Sequence, residues 1–212
     1  MGEFLDNPII PGYNYLYPGI FNMDKDRQTL CTAFEGARRI ASGDLKEVAL
    51  KAKKALDRGA QAAVLIFDDI SSELIEVDFR GTAADVAKRL APVTPEVEEP
   101  RGPGRPRLGV VAREVTLLPR HWDWLNSQPG GASVALRKLV EEARRTYAGR
   151  DRIRRAQESA YRFMSAMAGN EPGFEEATRA LFAGNPKRFD EMSGKWPKDI
   201  ADHAKNLASA AF

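Results

Sequence analysis

The sequence predicts an α+β protein of 212 residues, and three observations carry that expectation. Residues 29–80 hold short β-favouring runs separated by turn residues, residues 44–58 and 82–91 place apolar side chains at helical spacing, and residues 150–212 read as helix throughout. The expected order is an N-terminal hairpin-helix-hairpin-helix domain over 23–92, a linker over 93–109, a strand-helix-helix segment over 110–148 and a C-terminal helical bundle over 149–212.

In the N-terminal domain, "TLCTAFEG" and "ARRIAS" alternate apolar and polar residues around Glu35-Gly36, the pattern of a hairpin. Ser42-Gly43-Asp44 then supplies a helix start, Leu45, Val48, Ala49, Ala52, Ala55 and Leu56 form one apolar face, and Arg58-Gly59 ends the helix. "AAVLIFDD" and "ELIEVDFRG", joined by "DDISSE", are expected to pair as a second hairpin. Thr82 is expected to cap a last helix that stops before Pro92.

Residues 93–109, "VTPEVEEPRGPGRPRLG", contain too many prolines and glycines for a helix or a central strand. Beyond them "VVAREVTL" favours a strand, and Pro119 sits where a first helical turn tolerates it. Leu118, Trp122 and Leu125 continue a helical stripe that Pro129-Gly130-Gly131 ends. Ser133 is placed to cap a second helix, whose apolar face holds Leu136, Leu139, Val140, Ala143 and Tyr147. Further on, Arg150 to Met167 is amphipathic, Asn170-Glu171-Pro172 and Asn185-Pro186 break the chain, and Trp196-Pro197 opens a last helix. Phe174, Leu181, Phe182, Phe189, Met192 and Trp196 are expected in the bundle core, with His203 a plain helix-face residue.

Several function classes are disfavoured. No apolar run approaches the roughly 18 residues of a membrane span, and residues 1–22 contain neither Lys nor Arg, unlike a secretory signal, so a cytoplasmic protein without membrane contact is expected. Residues 1–22 are read either as an appended or alternative-start extension before Met23, or as a tail whose Tyr13, Tyr15, Tyr17 and Phe21 rest on a neighbouring surface. One cysteine, Cys31, and two separated histidines, His121 and His203, do not make a metal site. Asp68, Asp69, Glu73 and Glu76 form the densest acidic group, a composition that suits turn capping better than metal or acid/base chemistry. Phosphate-cradling loops and nucleophile motifs are absent, Cys31 and His121 lack the spacing and third member of a catalytic set, and neither catalysis nor a cofactor is expected.

Charge is unevenly spread. Residues 101–155 carry 13 Lys and Arg against 5 Asp and Glu, whereas residues 1–100 carry 12 against 17. Such segregation points to a polyanionic partner. Gly104-Arg105-Pro106-Arg107 resembles the AT-hook, in which an extended arm enters the narrow minor groove of A·T-rich DNA; Pro103 stands where that family has an arginine, and Arg101 is offset. Residues 110–145, through "VVAREVTLLP" and "GGAS", resemble the ribbon-helix-helix family. That resemblance implies an obligate homodimer whose paired strands enter the major groove of duplex DNA. Strand alternation turns outward either Arg113, Val115 and Leu117 or Ala112, Glu114 and Thr116; Arg113 and Thr116 are the expected base contacts through strand twist or a bulge, and the alternative is that the strand joins the preceding sheet. The resemblance also implies a phosphate held at the start of the second helix by Gly131, Ala132 and Ser133.

The expected DNA-binding residues are therefore Arg101, Arg105, Arg107, Arg113, Thr116, Gly131, Ser133 and Arg137, serving a DNA-binding protein of transcriptional-regulator type. A second class stays open: a protein–protein adaptor or antitoxin-like module that meets its partner through the N-terminal or C-terminal region. Across residues 23–212, "TAFEGARRIASGDL", "LIFDD", "GRPRLGVVAREVTLLPRHWDWL" and "QPGGASVALRKLVEEARR" resemble a bacterial domain-of-unknown-function family, which implies one evolved unit and transfers no activity.

Overall fold

The computed structural model describes residues 30–91 and 111–212. The first hairpin forms as expected: β1 (Leu30–Glu35) and β2 (Arg38–Asp44) are antiparallel around Gly36. Gly36 adopts φ +55°, and a Cβ there would lie 2.9 Å from that of Ala62, so both the turn and the neighbouring chain demand glycine. Asp44 caps α1 (Leu45–Asp57) by accepting from the Lys46 amide at 2.9 Å. The chain then returns as β3 (Val64–Asp68) on the other side of β1, giving the order β2-β1-β3.

The second hairpin is reduced to its turn. The Asp68 amide donates to Glu73 O and the Ile75 amide to Ile66 O, with a single bridge between Phe67 and Leu74. Beyond it the backbone leaves the sheet, because Asp78 engages the amide and guanidinium of Arg80 at 2.8–3.0 Å and closes a local turn in place of a ladder. Ile75, Val77 and Phe79 still pack toward α1. Thr82 caps α2 (Ala83–Arg89) in a reciprocal box with Asp85, as expected.

Seven helices occur among the described residues. After α2 come α3 (Pro119–Ser127), α4 (Gly131–Met167), α5 (Phe174–Phe182), α6 (Pro186–Ser193) and α7 (Lys198–Ala208), closed by a 3₁₀ turn at Ser209–Ala211. The strand expected over 110–117 is not formed. Residues 111–118 are irregular and almost wholly exposed, and they pair with neither edge of the β2-β1-β3 sheet. The cap assigned to Ser133 is also corrected: left-handed Gly130, φ +87°, precedes α4, no side chain caps it, and Ser133 lies inside the first turn. α4 continues for 37 residues, through the 148/149 position expected to separate two segments. At 1.5 Å per residue it is about 55 Å long.

The sheet is covered on both faces, and strand alternation decides which side chains go where. Cys31, Ala33 and Ile66 point to α1 and pack with Val48 and Ala52. Phe34, Leu65 and Phe67 point the other way, onto Ala160, Phe163 and Met164 of α4, Leu181 of α5, Phe189 of α6 and Ile200 and Ala204 of α7. Phe163 meets Phe34 at 5.4 Å and Phe67 at 5.2 Å between ring centres. Of the bundle residues expected in the core, Phe182 is the departure: it is 51% exposed and stacks edge-on against Tyr161. No helix among the described residues is long and apolar enough to cross a membrane.

Because Phe163 joins sheet and helices, Phe163→Ala should lower unfolding stability by about 3–5 kcal/mol, measured by urea titration. A loss below about 1 kcal/mol would show that the two layers do not share this core.

Candidate functional site

Two features stand out above the core, one an arm and the other a cleft. The short connection after α3 folds it back on the start of α4, where Leu125 and Ala135 are buried. Beyond this contact residues 137–150 of α4 are all exposed. At about 100° per residue, Leu136, Leu139, Val140, Ala143 and Tyr147 fall on one side of the helix, and Arg137, Arg144, Arg145, Arg152 and Arg155 on another. The apolar side is uncovered: Leu139, Val140 and Tyr147 are exposed, as are Leu118 and Trp124 nearby in the chain. From 137 to 155 there are 8 Lys and Arg against 3 Asp and Glu. Arg144 and Arg145 reach Glu141 at 3.2 and 3.7 Å, and Arg154 reaches Asp151 at 3.1 Å. Exposed pairs of this kind are worth roughly 0–1 kcal/mol and leave the guanidiniums accessible.

The expected DNA contacts are distributed unevenly. Arg113 and Thr116 are exposed on the irregular stretch, and Arg137 is exposed on α4 with its Nε donating to Ser133 O at 3.2 Å. The Gly131 amide donates to Gln128 O at 2.9 Å, so at this helix start the amides of Ala132 and Ser133 are the ones left for an anion. Arg101, Arg105 and Arg107 lie outside the described residues.

The cleft was not anticipated from sequence. It has a volume of about 480 Å³ and lies where the α4-facing side of the sheet meets the middle of α4 and the end of α7. α4 lines it with Arg152, Arg155, Ala156 and Ser159, and α7 with His203, Asn206 and Leu207. Both sets follow i, i+3, i+4 spacing, so one stripe of each helix faces inward. From the sheet, β1 contributes Thr32 and β2 contributes Arg39 and Ser42. Arg39 arrives there through a β-bulge: the register slips between Ala33 and Phe34, making Arg39 rather than Ile40 the partner of Phe34 and turning it to the cleft face.

The loop after β3 completes the wall. Asp68 Oδ1 accepts from the amides of Ile70 and Ser71 and from the Ser71 hydroxyl at 2.7–3.0 Å, which is the turn capping expected of this acidic group. Ser72 takes a left-handed φ of +55° and shares a buried 2.8 Å hydroxyl contact with Ser159, while Arg162 donates to Ser71 O and lies 3.8 Å from Glu73. The loop is thereby tied to α4. Asp69, held at 2.7 Å by the Thr32 hydroxyl, lines the cleft.

His203 corrects the expectation of a plain helix-face residue. It is only 5% exposed and packs against Phe34 and Phe163 at 5.4 and 4.5 Å, with no hydrogen-bond partner for the buried Nε2 among the described residues. Burial lowers its pKa below the usual imidazole value, Asp69 opposes that shift, and Arg39 adds to it. The sequence signal for its burial is the apolar stripe Ile200, Ala204 and Leu207, on which His203 also falls. Cys31, the other reactive group, is fully buried on the α1 face, and burial together with Asp69, Asp44 and Asp68 pushes its thiol up to about 12. That environment does not activate a nucleophile. Among the described residues no group of His, Cys, Asp and Glu has the arrangement to hold a metal.

A family model described as an uncharacterized protein conserved in bacteria, DUF2239, matches residues 30–208. The chain belongs to that family. The match runs from β1 to the last residue of α7, so it takes in the arm and all but the C-terminal turn of the core and the cleft lining. No curated protein and no solved structure matches the chain.

Two outcomes follow from these environments. His203 holds a proton less readily folded than unfolded, so its contribution to stability should be intact above about pH 6.5 and decline as pH falls through that value, with Arg39, Arg152, Arg155 and Asp69 facing the same cleft. His203→Gln should flatten the pH 5–7 part of a thermal-melt profile, and an unchanged slope would rule this out. Cys31 should not react with a thiol reagent at about pH 8 until denaturant unfolds the chain; prompt labelling of the native protein would contradict the burial.

Proposed function

We propose that this DUF2239 protein is a homodimeric DNA-binding protein of regulatory type, with the α3–α4 arm as the main contact. The observation that carries the reading is the bare N-terminal half of α4, where an arginine face and an uncovered apolar face run side by side along one helix. Guanidiniums displayed in this way displace counterions from a phosphate backbone, and the apolar side suits a second copy of the chain. Residues 111–117 belong to the same reading: they form no strand in the single described chain, and a ribbon-helix-helix arrangement would pair them with the same segment of a second copy. Arg113, Thr116 and Arg137, the amides of Ala132 and Ser133, and an AT-hook-like arm with Arg101, Arg105 and Arg107 are the proposed contacts.

Fluorescence anisotropy with a duplex across a salt series tests the reading. Neutralising about six phosphates should give a log–log slope near −5. Replacing Arg105 and Arg107 with Ala should weaken binding most on A·T-rich duplex, and Tyr147→Asp should convert the dimer to monomer in light scattering. No saturable duplex binding at about 50 mM salt would overturn the reading in favour of a protein-binding adaptor, for which the exposed Trp124, Leu139 and Tyr147 are the surface to examine.

A further inference from the structure

We propose that the cleft between the sheet, α4 and α7 binds a small phosphate monoester that also bears hydroxyl groups. Neither the DNA reading nor the family match assigns this site. Three independent features of the cleft converge on that chemistry.

The first is charge. Arg39 comes from β2, and Arg152 and Arg155 from α4, so two separate elements bring arginines to one space, the Arg155 Nε donating to Asp151 O at 3.2 Å. Among the described residues none of the three forms an ion pair with a carboxylate: the nearby Asp202 is engaged by Lys198 at 2.5 Å, and Asp199 accepts from the Arg39 backbone amide. Against them the cleft itself sets one carboxylate, Asp69. With His203 neutral, two positive charges are unmatched, and a phosphate monoester carries about −1.5 to −2 near neutral pH. A phosphodiester unit of a nucleic acid carries one negative charge and matches the site less well. Guanidiniums also suit phosphate through paired N–H donors.

The second feature is depth. His203 is buried in the wall of the cleft, and among the described residues its Nε2 has no hydrogen-bond partner. A ligand seated in the cleft would lie against a ring held in place by Phe34 and Phe163. The third is the remaining lining. Asp69 is fixed by Thr32 through one oxygen, Oδ1, and has acceptor capacity for a ligand hydroxyl, while Ala156 and Leu207 offer apolar wall to a carbon skeleton. A volume of about 480 Å³ fits a body of sugar-phosphate size.

The test is titration of the full chain, by calorimetry and by NMR of the imidazole C–H protons, with ribose 5-phosphate, inorganic phosphate, ribose and a dinucleotide. Ribose 5-phosphate should bind saturably and at least about tenfold more tightly than inorganic phosphate, with ribose and the dinucleotide weaker still. It should shift the His203 resonances and leave those of exposed His121 in place. Arg39→Gln, a change at an exposed side chain, should weaken ribose 5-phosphate at least about tenfold without altering duplex affinity. No saturable binding, equal affinity for ribose 5-phosphate and ribose, or perturbation of His121 alone would each overturn the proposal. So would an equal loss of duplex and ribose 5-phosphate affinity in Arg39→Gln, because the cleft would then be part of a nucleic-acid surface. Failure of duplex binding by the parent chain leaves this test fully decisive.

Discussion

A three-stranded sheet has two faces to bury, and in this protein the second face can be covered only by residues more than 90 positions away in sequence. The contact of Phe34 and Phe67 with Phe163 meets that requirement. Strand alternation sends these phenylalanines to the side opposite α1, where α1 cannot reach them. α4 must therefore cross the sheet with its C-terminal half, and α5, α6 and α7 then close around the same apolar cluster. The α/β hairpin region and the C-terminal helices share one core as a result, although a charged and proline-rich stretch separates them in the chain.

The same constraint divides α4 into two parts with different chemistry. From about Ala156 onward its inward stripe is apolar and buried, which is where most of its stabilisation arises. Before that point the helix extends past the sheet, and among the described residues nothing covers its apolar side. Arginines line the adjacent side of this half, and their pairs with Glu141 and Asp151 are too exposed to neutralise it. A helix anchored at one end and uncovered at the other is suited to carrying a contact surface away from the body.

Between these halves the inward stripe turns polar without leaving the core-facing side, and the cleft forms there. Arg152, Arg155 and Ser159 precede Phe163 on one stripe, and His203 occupies the facing stripe of α7. The sheet answers with polar groups at the corresponding end: Thr32, Ser42 and Asp69, plus the arginine that the β2 bulge turns inward. Ser42 Oγ lies 3.1 Å from Thr32 Oγ1, and that hydroxyl holds Asp69, so the polar wall is an ordered set and not loose surface. Burying His203 beside it without a hydrogen bond is unfavourable in isolation, a feature more common where a ligand or solvent completes the network.

Local chemistry by itself determined a good deal. The Gly36 turn, the Asp44 and Thr82 caps, Pro119 and Pro186 at helix starts and the breaks after Met167 and Ala183 were legible because each rests on backbone preferences within a few residues. The arginine-rich segment was legible from charge counts, and Asp68 as a turn-capping residue from the composition of its loop. Tertiary structure decided the rest. Whether residues 73–79 pair depends on Asp78 finding Arg80, and the β-favouring run at 111–117 stays irregular because strand formation needs a pairing partner that β propensity does not supply. Ser133 lost its cap role to a left-handed glycine pair. Above all, His203, Arg39 and Arg152 form a site only because one long helix and one bulged strand bring them to the same face, and distances across a core have no signature in the spacing of residues along the chain.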